Sequence, residues 1–114
     1  MLEKKKKAVE DFFAVLPHSI SLGMKIDFIG DGEVGMSMPY DKKLIGDPKT
    51  EVIHGGAVFS LLDTCCGAAA MSHPDQKGPT ATIDLRIDYM RPATPKQKIN
   101  CLLYTSDAAD EVVR

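Results

Sequence analysis

Two neighbouring features of this chain have the residue types and spacing to do chemistry: His54-Gly55-Gly56, and Asp63 seven residues after Gly56. The glycines fall where a loop turns into a helix. The first backbone N–H groups of a helix lack internal partners, and the helix dipole there favours negative charge. Glycine has no Cβ, so a ligand can approach those amides closely. A carbonyl under nucleophilic attack becomes an oxyanion, which such amides could receive. The same glycines also suit a tight loop-to-helix turn with no ligand. Asp63 follows roughly two helical turns later. Between Glu51 and Asp75 it is the only formal charge, flanked by Leu61, Leu62, Cys65 and Cys66. A carboxylate in an apolar helix costs stability unless it is satisfied or neutralised, and chains tolerate that cost mainly where chemistry needs it. An exposed stripe, or pairing with Arg86, would account for it without chemistry.

His54 could act as a base, but its place before two glycines suits a hydrogen bond that holds the loop. Other chemistries lack their patterns. The chain has no nucleophile elbow with Ser, His and Asp in order. His54, His73 and the acids do not form a metal-ligand set, and neither a phosphate loop nor a dinucleotide fingerprint is present.

The elements that must position these residues follow from periodicity. Leu2 to Leu16 is predicted as a helix, with Val9, Phe12, Phe13 and Leu16 on one face and Pro17 as the stop. Met24 to Pro39 is predicted as a hairpin around Gly30-Asp31-Gly32, with Met24, Ile26 and Phe28 alternating on one arm and Val34, Met36 and Met38 on the other. Tyr40 to Ile53 reads as a loop. From near Gly56 to Ser72 a long helix is expected, buried on most sides. His73 to Pro79 is a turn, Thr80 to Met90 a strand, and Lys96 to Tyr104 a further strand after the break at Arg91-Pro92-Ala93-Thr94-Pro95. The order helix, hairpin, long helix, strand, strand is α+β, a helix laid on a mostly antiparallel sheet.

Composition agrees with a single soluble domain: 114 residues, 44% hydrophobic and 26% charged. A core of this size is modest, so pairing with further copies is expected. The net charge of −2 argues against a nucleic-acid face, and Lys4 to Lys7 read as a solvated helical turn. The helix from Gly56 is too polar for lipid, with His54, Ser60, Asp63 and Thr64 in or beside it. Cys65, Cys66 and Cys101 have no disulfide or metal spacing and read as small apolar residues in a reducing, cytoplasmic setting.

Four segments together resemble the PaaI-like branch of hotdog-fold acyl-CoA thioesterases: Leu44-Ile45-Gly46-Asp47, His54-Gly55-Gly56, Leu61-Leu62-Asp63, and Asp84-Leu85-Arg86-Ile87-Asp88-Tyr89-Met90-Arg91-Pro92-Ala93. The similarity runs from about Ser19 to Asn100. The resemblance implies a long central helix wrapped by an antiparallel sheet, and homodimers or homotetramers with sites at the subunit interface. It implies hydrolysis of acyl-CoA without a metal or other cofactor. Carried over by position, Asp63 would be the general base or nucleophile and the Gly55 amide would polarise the thioester carbonyl. Asp63 and that amide would come from different subunits. Thr82 would hold the attacking water. His54 and Gly56 would line the substrate site, and Arg91 would reach CoA phosphate. Phe59, Leu62 and Met90 could line an acyl pocket, although apolar residues at such positions are more often core.

Two departures from the pattern stand out. Many members carry an Asn a few residues before the His-Gly-Gly; here that stretch is Gly46-Asp47-Pro48-Lys49. Members also continue for roughly two more strands after the position of Cys101, so residues 1–104 are expected to form one incomplete hotdog domain. The stretch Thr105 to Arg114 is unlike the family, polar and acidic, and is expected to be a non-native tail on a truncated frame. Two other functions stay open. One is a hotdog module that binds acyl-CoA without hydrolysing it, which the absent Asn keeps in play. The other is a thioester dehydratase, whose Asp and His usually share a helix segment; here His54 lies nine residues before Asp63.

Overall fold

The computed structural model describes residues 3–73, 95–104 and 112–113. Helix α1 (Glu3–Ala14) buries Val9 and Phe13 and exposes Lys4 and Lys7, while the part-buried Lys5 ammonium donates to the His73 carbonyl. It is shorter than expected, and Pro17 does more than stop it. Pro17 opens a second helix, α2 (Pro17–Leu22), at a position where a helix has no backbone bond to lose by lacking an N–H. Gly23 ends α2 in the left-handed conformation, φ 74°, and its N–H donates to the Ile20 carbonyl at 3.1 Å.

Strands β1 (Lys25–Gly30) and β2 (Glu33–Met38) form the expected hairpin across a two-residue turn, Asp31-Gly32, with Gly32 at φ 70°. The alternation on β1 is not continuous. The register shifts between Ile26 and Phe28, so Asp27 is an extra residue opposite β2. Beyond this bulge the faces exchange. Ile29, at 7% exposure, enters the core, whereas Phe28 turns outward at 48%. The expected Met24-Ile26-Phe28 face therefore breaks at its third member. Ser37 on β2 donates to the Asp27 carboxylate at 3.2 Å, and the Phe28 ring packs over Gly35, where a Cβ would come within 2.2 Å of it. These two contacts bury the outer side of β2 as well as its core side.

The stretch expected to be a loop contains order of its own. A single 3-10 turn, Lys42–Leu44, leads into β3 (Ile45–Asp47), which pairs with β4 (Val52–Ile53) as a small separate clasp. Helix α3 (Gly55–Ser72) follows at once and buries Ala57, Leu61, Leu62, Cys65, Ala68, Ala69 and Ser72. By length and apolarity α3 could cross a membrane: 18 residues with mean hydropathy 1.2, of which 44% are buried. Here it is a core helix, packed on β2, on β5 (Ile99–Tyr104) and on α1.

The sheet runs β1-β2-β5-β6, all antiparallel. Strand β5 starts three residues later than expected. Strand β6 (Val112–Val113) pairs with Cys101 and Leu102, so part of the stretch expected to be a non-native tail adds to the sheet. Two oily layers close the core: Val34, Met36, Met38, Cys101 and Leu103 from the sheet, and Leu61, Leu62 and Cys65 from α3. The expected strand Thr80 to Met90, and with it Thr82, Arg86, Met90 and Arg91, lies outside the described residues.

Candidate functional site

The start of α3 is built around His54, which is held from three directions. Its backbone N–H donates to the Leu44 carbonyl at 2.7 Å. Its Cα rests on Gly46, so closely that a Cβ on Gly46 would sit 2.8 Å away. Its ring Nδ1 accepts the Gly56 N–H at 2.8 Å, so His54 is the N-cap of α3, a role usually taken by Ser, Thr, Asn or Asp. The β3–β4 clasp and the preceding turn thus press His54 into place. That gives the Leu44-Ile45-Gly46-Asp47 motif a mechanical reason: its carbonyl and its glycine seat the capping histidine.

Capping sorts the amides of the first turn. The Gly56 N–H is engaged by the His54 ring, and the N–H groups of Ala57 and Val58 point at the His54 carbonyl at 3.0 and 3.5 Å. His54, Gly55 and Gly56 are all exposed. Asp63 is half-buried on the flank of α3, between Leu62 in the core and the helix's outer side. It is therefore less deeply set among apolar groups than its sequence neighbours suggest. The eight-residue step from Gly55 to Asp63 spans about 12 Å along a helix. Along one helix the Asp63 carboxylate and the Gly55 amide are therefore well separated. Of the predicted acyl-pocket residues, Leu62 is core at 5% exposure, whereas Phe59 is exposed at 38%.

Asp47, at the position where the Asn is absent, is committed to its own turn. One carboxylate oxygen accepts the Lys49 N–H at 2.9 Å and the other the Thr50 hydroxyl at 3.0 Å. These bonds, led by the one from Lys49, hold its pKa below the ordinary carboxylate value. The Tyr40 hydroxyl reaches across to the Glu51 carbonyl at 3.0 Å, anchoring a residue whose φ is +61°.

Sequence reasoning missed one pair beside the site. His18 Nε2 on α2 lies 3.0 Å from Ser60 Oγ on α3, and that oxygen lies 3.0 Å from the Gly56 carbonyl. The residues are 42 positions apart, and neither carries a local signal. No group of three or more His, Cys, Asp or Glu able to hold a metal ion occurs among the described residues. Cys65 and Cys101 are buried and Cys66 is half-buried. The hydrogen bond to Cys101, with burial, pushes the Cys65 thiol far above its usual pKa. A cleft of about 560 Å³ between α1 and β1 is lined by Phe13, Met24, Ile26 and Met36 and contains none of the candidate residues.

A central helix capped at a His-Gly-Gly turn and laid on an antiparallel sheet is the hotdog architecture of thioesterases. A thioesterase family protein of Silicibacter pomeroyi superposes with a TM-score of 0.78 at 29% identity, over 88% of this chain and 71% of that one. The Escherichia coli PaaI protein shares the fold, with a TM-score of 0.75 at 18% identity over 99% and 90% of the two chains. The thioesterase superfamily profile matches residues 50–109, over half of the sequence, and the chain belongs to that superfamily. Among curated relatives, a candidate esterase of Halobacterium salinarum is 37% identical over 75 residues, which is 63% of this chain and 50% of that protein. The medium/long-chain acyl-CoA thioesterase YigI of Escherichia coli is 26% identical over 104 residues, 79% of this chain and 67% of YigI. The chain thus spans half to two thirds of the curated relatives it matches.

Proposed function

We propose that this chain hydrolyses acyl-CoA thioesters to a carboxylic acid and free CoA, in a reducing cytoplasmic setting. The observation that carries the reading is the seating of His54. Three contacts fix the first turn of α3 around a glycine amide, on the same helix that carries the carboxylate Asp63. In this reading the Gly55 amide donates to the thioester carbonyl and stabilises the oxyanion. Asp63 activates water as a general base, or attacks the carbonyl itself. Thr82 holds the water, Arg91 meets CoA phosphate, and His54 and Gly56 shape the substrate's approach.

The separation along α3 requires two copies. Asp63 of one chain then works with the Gly55 amide of a second, so the active species is a homodimer or a pair of dimers. The family, and the acyl-CoA thioesterase YigI among the relatives, support the thioester and the CoA carrier.

A thiol-release assay over short, long and aromatic acyl-CoAs tests the reading, with Asp63→Asn as the control. Loss of a general base is expected to lower kcat by about 10²- to 10⁴-fold. An Asp63→Asn protein that turns over as fast as the wild type would remove Asp63 from the chemistry. One observation favours a second reading, a module that binds acyl-CoA without turnover. Both oxygens of Asp47 are occupied by its own turn, where many hotdog thioesterases offer an Asn. Calorimetry that detects acyl-CoA binding by a protein releasing no thiol would select this alternative.

A further inference from the structure

A run of hydrogen bonds begins in α2 and ends at the amide that the proposed function uses. His18 Nε2 lies 3.0 Å from Ser60 Oγ, and Ser60 Oγ lies 3.0 Å from the Gly56 carbonyl oxygen. A hydroxyl has one proton to give. Two oxygens at that distance with no proton between them repel, so Ser60 donates to Gly56. The His18 nitrogen facing Ser60 is then the protonated one, and it donates to the Ser60 oxygen.

The Gly56 carbonyl shares a peptide unit with the Ala57 N–H, which donates to the His54 carbonyl at 3.0 Å. The His54 carbonyl in turn shares a peptide unit with the Gly55 N–H. Every bond in the series points the same way, from the His18 ring through Ser60, the Gly56–Ala57 peptide and the His54–Gly55 peptide. In such a series each bond polarises the next and makes its donor stronger.

We propose that His18 is a positioning residue for thioester hydrolysis, acting through Ser60 to hold the first turn of α3 and to strengthen the Gly55 N–H as an oxyanion donor. The inference rests on the reading of Gly55 given above. It assigns a catalytic purpose to α2, a six-residue helix that contributes Ser19 to the buried residues. A plain staple between α2 and α3 would affect stability and leave the rate per folded molecule unchanged, and that difference makes the two separable.

The test compares four single variants of the full chain with the wild type, on an acyl-CoA it hydrolyses. His18→Phe keeps a ring and loses the donor; His18→Gln returns an N–H at the reach of Nε2. Ser60→Ala removes the hydroxyl; Ser60→Thr restores it. Weakening a backbone oxyanion donor by the share that one cooperative bond supplies lowers kcat by about two- to eightfold. That loss is expected for His18→Phe and Ser60→Ala with KM unchanged, and recovery for His18→Gln and Ser60→Thr. The double variant is expected to be no slower than Ser60→Ala alone.

Melting curves on the wild type, the four single variants and the double variant separate folding from rate. For any variant that melts early, the carbonyl stretch of a bound acyl-CoA analogue with methylene in place of sulfur reports polarisation directly. It is expected at higher frequency in His18→Phe than in the wild type. A rise in KM with kcat intact, a folded His18→Gln as slow as His18→Phe, or losses that multiply in the double variant would each overturn the relay. If the wild type releases no thiol, the underlying reading fails and the relay with it. If Asp63→Asn is inactive while His18→Phe matches the wild type in kcat and in carbonyl frequency, the relay alone fails.

Discussion

At the scale of single residues, the candidate site is built on a cap. A histidine ring in place of the usual hydroxyl or carboxylate holds the Gly56 N–H. His54→Ala leaves that donor to water and is expected to cost about 0.5–2 kcal/mol, the usual range for a lost N-cap, read as a lower unfolding midpoint in urea. An unchanged midpoint would show that the cap carries no stability. Asp47 gives a pH-dependent case. Its pKa is lowered in the folded chain by the bonds from Lys49 and Thr50. A lowered folded pKa means the contribution is complete above the unfolded value and fades as pH falls through the folded one. Asp47→Ala is therefore expected to unfold more easily than the wild type at neutral pH. The two should converge in acid below the ordinary carboxylate range, as followed by denaturant titration across pH. A gap that stayed constant with pH would mean the turn does not depend on this charge.

At the scale of elements, two glycines predict opposite tolerances. A Cβ on Gly46 would meet the His54 backbone at 2.8 Å, and neither strand of the clasp nor the helix start can yield without moving the other. Gly46→Ala is expected to destabilise by about 1–3 kcal/mol, as overpacking does, and to slow thiol release although Gly46 touches no substrate. A Cβ on Gly35 would come closer still, at 2.2 Å, but to the Phe28 ring, which is 48% exposed and can swing away. Gly35→Ala is expected to keep its rate and lose less stability. Thermal melts and rates on the pair decide it, and the reverse ranking would refute the seating of His54 by the clasp.

Element-level reading of the sequence succeeded where the period was long. The helix after His54-Gly55-Gly56 and the hairpin around Asp31-Gly32 were legible from spacing alone. The clasp was not, because strands of three and two residues carry no period. The Asp27 bulge was hidden for a different reason. A one-residue slip is fixed by cross-strand partners such as Ser37, which alternation within β1 does not record. The His18–Ser60 contact depends on how α2 folds back on α3, which no local pattern encodes.

At the scale of the molecule, the proposed hydrolysis calls for a second copy, because about 12 Å of helix separates Gly55 from Asp63. Sedimentation is expected to find dimers or larger species at concentrations where thiol release is measured, with the specific rate falling on dilution into monomer. A monomer working at full rate would contradict the shared site. The side chains Val15 and Ile20, at 68% and 61% exposure, and Phe59 beside the His-Gly-Gly turn are the large apolar groups left on the surface near the N-terminal helices and α3.

The apolarity of α3 has a consequence for the life of the polypeptide before it is folded. Translocation machinery and chaperones sort nascent segments by length and greasiness. Until β2 and β5 close over it, this stretch meets that description, with Asp63 as the one formal charge opposing insertion. The acid proposed for the reaction is thus also the charge that opposes insertion of this stretch, and a neutral side chain in its place would remove that opposition.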